Sequence, residues 1–228
     1  MIISHKHKFI FIKTQKTAGS SIKLALAKFC DNKDIISSMG DEDNYLKKTL
    51  GYRGAQNNYL PYKAYWKRDW FNYLYNGSRY NFTDHMSAKE IKIRFKNEWK
   101  DYYIFCFERN PFDKFISWYY WDGGDKRHGN MTKFIQSGAA SKIKGFELYT
   151  DNSEIIIDKV YKYEELNESL SDIQNVLNLP SILKLPEQKL KGNVRKEQAH
   201  YKDILTDFEV DWIRKVFARE MVYFNYSF

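Results

Sequence analysis

The segment that decides the fold is residues 8–22, KFIFIKTQKTAGSSI. Apolar residues dominate its first part, which predicts a strand over 8–13. Small and hydroxyl-bearing residues follow, and a roughly periodic apolar pattern from Ile22 onward predicts a helix over 19–29. A strand–loop–helix turn of this kind directs backbone N–H groups, the positive end of a helix dipole, the Lys16 ammonium and three hydroxyl groups to one point. The segment therefore predicts a binding site for a phosphate-like anion.

The loop in this segment is not a complete nucleoside-triphosphate loop. Lys16-Thr17 is similar to the end of a Walker A motif, but that motif needs a glycine six residues before the lysine. Ile10 occupies that position, which disfavours a nucleoside triphosphatase. A purely structural interpretation also exists, in which Gly19 permits a tight turn and Ser20 caps the helix.

A second segment of the same design lies in the middle of the chain. Residues 102–107 form an apolar run of strand length, and residues 108–120 read ERNPFDKFISWYY. Pro111 suits the first turn of a helix because its missing N–H costs nothing there. The pattern predicts a strand over 102–108 and a helix over 111–121.

Together, the two segments resemble the sulfotransferases that use 3′-phosphoadenosine 5′-phosphosulfate (PAPS). The first loop is similar to the 5′-phosphosulfate loop of that family, whose form is near Pro-Lys-Thr-Gly-Gly-Thr-Ser. This chain has Gln15, Ala18 and Ser20 where the family has proline, the first glycine and threonine. The stretch from Arg109 to Ser117 is similar to the family's Arg-Asn-Pro-(Tyr/Phe)-Asp-Arg-x-x-Ser. The resemblance is closest to the branch that includes carbohydrate sulfotransferases.

The resemblance implies an α/β fold of the P-loop NTPase-like type, with three layers and a central parallel sheet flanked by helices. It implies sulfuryl transfer from PAPS, leaving adenosine 3′,5′-bisphosphate, without a metal ion. Arg109 and Ser117 would hold the 3′-phosphate, a task that suits a guanidinium because it binds phosphate oxygens in a bidentate fork. Lys16 would also be catalytic, stabilising charge on the leaving group.

The end of the chain extends the resemblance. Residues 192–226 are similar to the ending of the carbohydrate branch, where a basic segment returns to the nucleotide, and Arg195 and Lys196 are the matching candidates. The residues assigned to PAPS are Lys16, Thr17, Ala18, Gly19, Ser20, Ser21, Arg109, Ser117, Arg195 and Lys196.

Transfer to a hydroxyl needs a base, and a pKa near neutrality favours histidine. Five histidines are available. His85 is the predicted base, because its context, residues 83–90, resembles the catalytic-histidine region of the family. His128, in a glycine-rich basic loop, is the competing candidate. His5 and His7 are predicted to be solvated in a basic tail before the first strand.

Composition and charge limit the possible domain number, ligand class and membrane association of the chain. The 228 residues carry a net charge of +8, spread along the chain without a dense basic block. Residues 1–228 are therefore predicted to form a single domain with an anionic nucleotide as ligand and without nucleic acid as a partner. No segment approaches the ~18 apolar residues of a membrane span. Because Golgi members of the resembled family carry a membrane anchor, the resemblance then implies a soluble, cytoplasmic relative of bacterial or viral origin. Cys30 and Cys106 are expected to be reduced and buried.

Residues 31–82 are rich in tyrosine and tryptophan. The stretch is too long for a plain loop and predicts short helices. Its aromatic side chains either form a satellite core or border the acceptor site. Further helices are predicted over 87–97, 130–138, 141–149, 165–178 and 206–220, with a further strand over 155–161. Alternating strands and helices imply a parallel sheet with ligands at the carboxyl ends of the strands.

The sequence thus favours a sulfotransferase that uses PAPS and a hydroxyl acceptor, with a glycan as first choice. One alternative is a P-loop small-molecule kinase, which the missing Walker glycine disfavours. The other is a non-catalytic binder of nucleic acid or another polyanion, which the charge of +8 would serve. The acceptor's identity and the oligomeric state are not predicted.

Overall fold

The computed structural model describes residues 1–38, 49, 51–186 and 199–228. Its strands are β1 (Ile2–Ser4), β2 (Phe9–Phe11), β3 (Ile35–Ile36), β4 (Tyr103–Glu108), β5 (Thr150–Asp151), β6 (Glu154–Ile155) and β7 (Lys159–Lys162). The main sheet has the order β3-β1-β2-β4-β7, and β5 and β6 form a small separate sheet. Strands β2, β4 and β7 are parallel, whereas β1 is antiparallel to both of its neighbours. The predicted α/β fold with a central, mostly parallel sheet is confirmed.

The helices are α1 (Gly19–Ala27), α2 (Lys67–Asn76), α3 (Ala88–Arg94), α4 (Lys96–Asp101), α5 (Pro111–Trp121), α6 (Gly124–Arg127), α7 (Met131–Gln136), α8 (Leu166–Val176), α9 (Tyr201–Ile204), α10 (Asp207–Val216) and α11 (Ala218–Phe224). Short 3-10 turns lie at Tyr62–Ala64, Ala139–Lys142, Phe146–Leu148 and Tyr163–Glu165. Two predicted helices are each divided in two. Phe95, with φ −127° and ψ 60°, separates α3 from α4, and Phe217, with φ −104° and ψ 26°, separates α10 from α11.

Alternate residues of the central strands serve opposite faces of the sheet, as the two-residue repeat of a strand requires. Phe9 and Phe105 belong to a buried cluster with Ile22 of α1 and Ile173 of α8. Their neighbours along the strands, Ile10 and Ile104, point to a second cluster on the other face. Met86, Ile91 and Phe95 also belong to this cluster. The sheet is therefore buried on both faces, as in other parallel sheets.

The beginning of the chain differs from the sequence prediction. Residues 2–4 form β1, which lies inside the main sheet between β3 and β2. His5 and His7 are half-buried, and His5 Nδ1 lies 2.8 Å from the Tyr102 hydroxyl. The prediction of a solvated tail was wrong because a three-residue strand is too short to show an alternating pattern, and its pairing depends on distant residues.

The aromatic stretch contains β3, α2 and a 3-10 turn, so the prediction of short helices is confirmed. Leu60 and Tyr65 are buried in the core. Six aromatic side chains of its described part are instead exposed: Tyr59, Tyr62, Trp66, Trp70, Phe71 and Tyr75. Cys30 and Cys106 are free and buried, as predicted. Within the described residues, every helix is too short or too polar to cross a lipid bilayer.

Candidate active site

The anion loop, residues 12–18, connects the end of β2 to the start of α1. Its floor is built from two buried threonines. The Thr14 hydroxyl donates to the Phe107 carbonyl of β4 and lies 2.9 Å from the Thr17 hydroxyl. Thr17 is 1% exposed, so its side chain supports the loop from beneath. Its assigned contact with a nucleotide stays a prediction.

The backbone of the anion loop contains two left-handed residues. Lys16 and Ala18 have left-handed φ values of 64° and 57°, and Ala18 is the N-cap of α1. Left-handed residues alternating with others turn successive N–H groups towards one concave surface, which the N-terminus of the following helix extends. Ser20 and Ser21 lie half-buried in the first turn of that helix. Ala18 adopts a left-handed conformation although this is energetically unfavourable for alanine and not for glycine.

Gly19 has a different role from the one its position first indicates. Its φ is not left-handed, so the residue is not needed for a tight turn. A Cβ atom at Gly19 would lie 2.7 Å from Cγ of Lys13. Glycine is required here because the side chain of Lys13 passes directly beneath the start of α1.

Arg109 joins the two sequence motifs, which are 93 residues apart. Its Nη1 donates to the Lys16 carbonyl at 3.1 Å. Nε donates to Asp113 at 2.8 Å, Nη2 donates to the same carboxylate, and the guanidinium stacks on Tyr163 at 4.3 Å. The arginine side chain is 12% exposed, so its orientation is fixed while one edge still reaches solvent.

A buried network lies directly below Arg109. Glu108 and Lys114 are both fully buried, and Lys114 Nζ lies 2.6 Å from Glu108 Oε1. The same oxygen accepts the backbone N–H of Arg109 at 2.9 Å, and Tyr149 donates its hydroxyl to Oε2 at 3.0 Å. The backbone of the candidate phosphate-binding residue is therefore anchored in the core.

Helix α5 begins two residues after Arg109 and passes the anion loop. Ser117 lies half-buried two turns into this helix. The ammonium of Lys16 lies 5.2 Å from the ring centroid of Trp121, at the last residue of α5, and Trp121 stacks on Trp118. Lys16 and the second motif are thus neighbours in space, as their positions after adjacent parallel strands predict.

His85 contacts the anion loop through its ring. Nδ1 lies 2.7 Å from the carbonyl oxygen of Lys13. Since a carbonyl only accepts, Nδ1 must carry the proton and Nε2 is left as the basic nitrogen. Burial lowers the pKa of His85 to about 4, so the ring is neutral at pH 7 and able to accept a proton at Nε2.

His128, the competing base, lies elsewhere. It follows α6, its ring packs at 5.5 Å from Phe134, and its Nε2 is buried. These contacts join it to the cluster around α5 and α7, whereas His85 is attached to the anion loop. Geometry therefore favours His85. Arg195 and Lys196 lie outside the described residues.

Several contributing residues were missed in the sequence. Asp113 could have been found, since a carboxylate four residues after an arginine at a helix start is a regular ion-pair spacing. Tyr163, Lys13 and Asp84 carried no comparable local signal. In the described residues, no group of three or more His, Cys, Asp and Glu side chains is arranged to hold a metal ion.

Comparison with known proteins places this geometry in context. Residues 1–145 match the model of a family described as the Sulfotransferase family. An uncharacterized protein of Archaeoglobus fulgidus is 34% identical over 87 residues, which are 36% of this chain and 72% of that protein. No solved structure gives a significant match. The matched region of the family contains the anion loop, His85 and the segment from Arg109 to Ser117.

Proposed function

Because the chain belongs to the sulfotransferase family, we propose that it transfers a sulfuryl group from PAPS to a hydroxyl of an acceptor, with a carbohydrate as the first choice. The observation that carries this proposal is the hydrogen bond from Arg109 to the Lys16 carbonyl. It joins the two segments that we assign to the donor's phosphates, at the carboxyl ends of β2 and β4, and His85 is hydrogen-bonded to the same loop. A donor with phosphate groups at the 5′ and 3′ positions of its ribose matches this pair of elements better than a donor with a single phosphate does.

The residues present fit such a donor. The anion loop and the N-terminus of α1 offer backbone N–H groups to a 5′-phosphosulfate. Arg109 has five N–H groups, and the hydrogen bonds to Asp113 and Lys16 use three of them. The remaining donors, with the Ser117 hydroxyl, are assigned to the 3′-phosphate. Asp113 and Tyr163 hold the guanidinium ready, which lowers the entropy lost on binding.

PAPS, when bound, supplies an activated sulfuryl group whose S–O bond to the phosphate breaks during transfer. The neutral His85 ring accepts the proton of the acceptor hydroxyl at Nε2, while Nδ1–H stays bonded to the Lys13 carbonyl. Lys16 and the N–H groups of the anion loop stabilise negative charge on a phosphate leaving group. This is the same electrostatic principle as an oxyanion hole. The exposed aromatic side chains of residues 31–82 are assigned to the acceptor side.

Replacing Arg109 tests the donor site. We expect Arg109→Ala to weaken binding of adenosine 3′,5′-bisphosphate by about 10²-fold or more, because a well-oriented charged partner of a phosphate is lost. Titration calorimetry measures this affinity directly and needs no acceptor. Arg214→Ala is the matched control, since Arg214 lies half exposed on α10. Unchanged affinity in Arg109→Ala would remove the 3′-phosphate assignment.

Replacing Lys16 tests the catalytic assignment. We expect Lys16→Ala to lower turnover about 10²-fold, the usual effect of losing one donor to a developing charge, with a smaller change in the KM of the acceptor. The release of adenosine 3′,5′-bisphosphate from PAPS, in the presence of a panel of glycans, measures turnover. Lys28→Ala is the control, as Lys28 is an exposed lysine following α1. Equal loss in both variants would contradict a specific role for Lys16.

A further inference from the structure

A buried ion cluster lies behind the anion loop. It consists of Lys13, Lys23, Ser37 and Asp84 and is called the Asp84 cluster below. Both lysine ammonium groups pair with the Asp84 carboxylate, and the Ser37 hydroxyl donates to its Oδ1 at 2.6 Å. The Lys23 side chain is fully buried. Nothing in the proposed transfer reaction explains why two buried lysines share one carboxylate here.

The cations keep this carboxylate ionised. Burial by itself would raise the pKa of Asp84, but nearby positive charge, that of Lys23 and Lys13 included, outweighs burial and holds that pKa well below its usual range. Asp84 is thus ionised at neutral pH, and its charge offsets those of two lysines that would otherwise repel each other.

The Asp84 cluster is attached to the anion loop through a single residue. The Lys13 ammonium donates to the Asp84 carboxylate, and the Lys13 carbonyl oxygen accepts the Nδ1–H of His85. Two consecutive residues, 84 and 85, therefore hold both ends of Lys13, which lies 71 positions away in the sequence. The Lys13 side chain also runs beneath Gly19, where a Cβ would lie 2.7 Å from it.

The cluster also reaches α1 and the end of β3. Lys23 lies on α1, the helix whose N-terminus completes the anion loop, and its ammonium donates to the Ser37 carbonyl at 2.8 Å. His85 itself lies in a segment without regular structure, just before α3. The orientation of its ring consequently depends on the ion pairs that hold Asp84 and on the hydrogen bond from Nδ1 to the Lys13 carbonyl.

We propose that Asp84 is a positioning residue, whose carboxylate, held by Lys13 and Lys23, fixes the His85 ring against the anion loop. The distance between the anion loop and the His85 ring is then fixed. Transfer requires this if the ring is the base and the loop binds the leaving group. The role of His85 as a base rests on the proposed function, but the position of its ring can be measured without any substrate.

The test is the state of the His85 ring in Asp84→Asn, followed by ring ¹⁵N NMR, with the His85 signal assigned by its loss in His85→Gln. In the unmodified protein, we expect the Nδ1–H tautomer and a pKa of about 4. If Asp84 positions the ring, its loss frees His85 into solvent, the tautomers mix, and the pKa rises towards about 6.5. If Asp84 acts only through its charge, the loss of a nearby anion lowers the pKa further. An unchanged or lowered pKa overturns the proposal.

A second variant covers the case in which Asp84→Asn does not fold. Asp84→Asn combined with Lys23→Met removes the buried carboxylate together with its most buried ammonium, so the core does not keep the fully buried charge of Lys23 without its partner. The expected result is again a mixed tautomer and a raised pKa of His85, and a retained Nδ1–H tautomer contradicts the proposal. Asp151→Asn is the matched control, because Asp151 pairs with the exposed Lys89, and it should leave the His85 signal unchanged.

Activity measurements separate this proposal from the proposed function. If Asp84 acts through His85, Asp84→Asn lowers turnover in the unmodified protein by about 10²-fold but causes no further loss in a His85→Ala background. Equal losses in both backgrounds would mean a general structural role and would overturn the positioning role. Full activity of His85→Ala would instead overturn the assignment of the base, while the NMR result would stand independently.

Discussion

His85→Ala is expected to lower the turnover of sulfuryl transfer by about 10²- to 10⁴-fold, the range observed when a general base is removed. The reason lies in the hydrogen bond of Nδ1 to the Lys13 carbonyl, which leaves Nε2 unprotonated and available as a base. Initial rates with saturating PAPS and an accepting glycan measure the effect. Affinity for adenosine 3′,5′-bisphosphate should change little, because Arg109 provides the separate contact with the nucleotide.

His128→Ala is the control for this experiment, since His128 packs against Phe134 in another cluster. It should retain turnover close to that of the unmodified protein. The opposite pattern, with normal transfer in His85→Ala and a large loss in His128→Ala, would move the base to His128.

The same assignment predicts the pH dependence. Burial lowers the pKa of His85 to about 4, so the ring loses its ability to accept a proton only as the pH falls through that value. We therefore expect kcat/KM, which reports the free enzyme, to show no loss from histidine protonation between about pH 8 and about pH 5.5. A fall to half its value near about pH 6.5, the usual histidine pKa, would mean that the essential histidine is solvated.

Local sequence patterns were sufficient for the elements that carry the two motifs. Strand β4 and helix α5 follow from a continuous apolar run and from Pro111 at a helix start, both of which act within a few residues. The contact between Arg109 and the Lys16 loop follows in turn from the rule that parallel strands present their carboxyl ends together. Such features are predictable because their causes are close in sequence.

The remaining parts of the site depend on contacts between distant residues. Strand β1 is recognisable only through its pairing with β2 and β3, and the Lys13–Asp84 ion pair spans 71 positions. The sequence suggested a tight turn as the structural role of Gly19, but the reason for a glycine there is the passage of the Lys13 side chain, which no local rule predicts. Buried charges are generally missed for the same reason, because a lysine in a sequence is far more often exposed.

Lys114→Met should have the largest effect on stability. Lys114 and Glu108 are fully buried, and a second carboxylate, Glu220, is buried nearby with a pKa raised by burial and by Glu108. Removing the ammonium leaves these carboxylates without a counter-charge in a medium of low polarity. The expected loss is about 3–5 kcal/mol, a large part of the roughly 5–15 kcal/mol that a domain of this kind has. Equilibrium unfolding in urea measures the change.

The matched experiments show whether the loss comes from an unpaired charge. Lys89→Met removes a lysine whose side chain is about half exposed from its ion pair with Asp151, and this should cost no more than about 1 kcal/mol. Glu108→Gln combined with Lys114→Met removes both charges and should recover much of the stability, because a charge left unpaired costs more than the pair contributes. The double variant also tests the anchoring of the site. The amide introduced in place of the Glu108 carboxylate keeps a carbonyl oxygen that accepts the N–H of Arg109, so affinity for adenosine 3′,5′-bisphosphate should persist. If the double variant is as unstable as Lys114→Met, the cost arises from the lost packing of the lysine side chain and not from its charge.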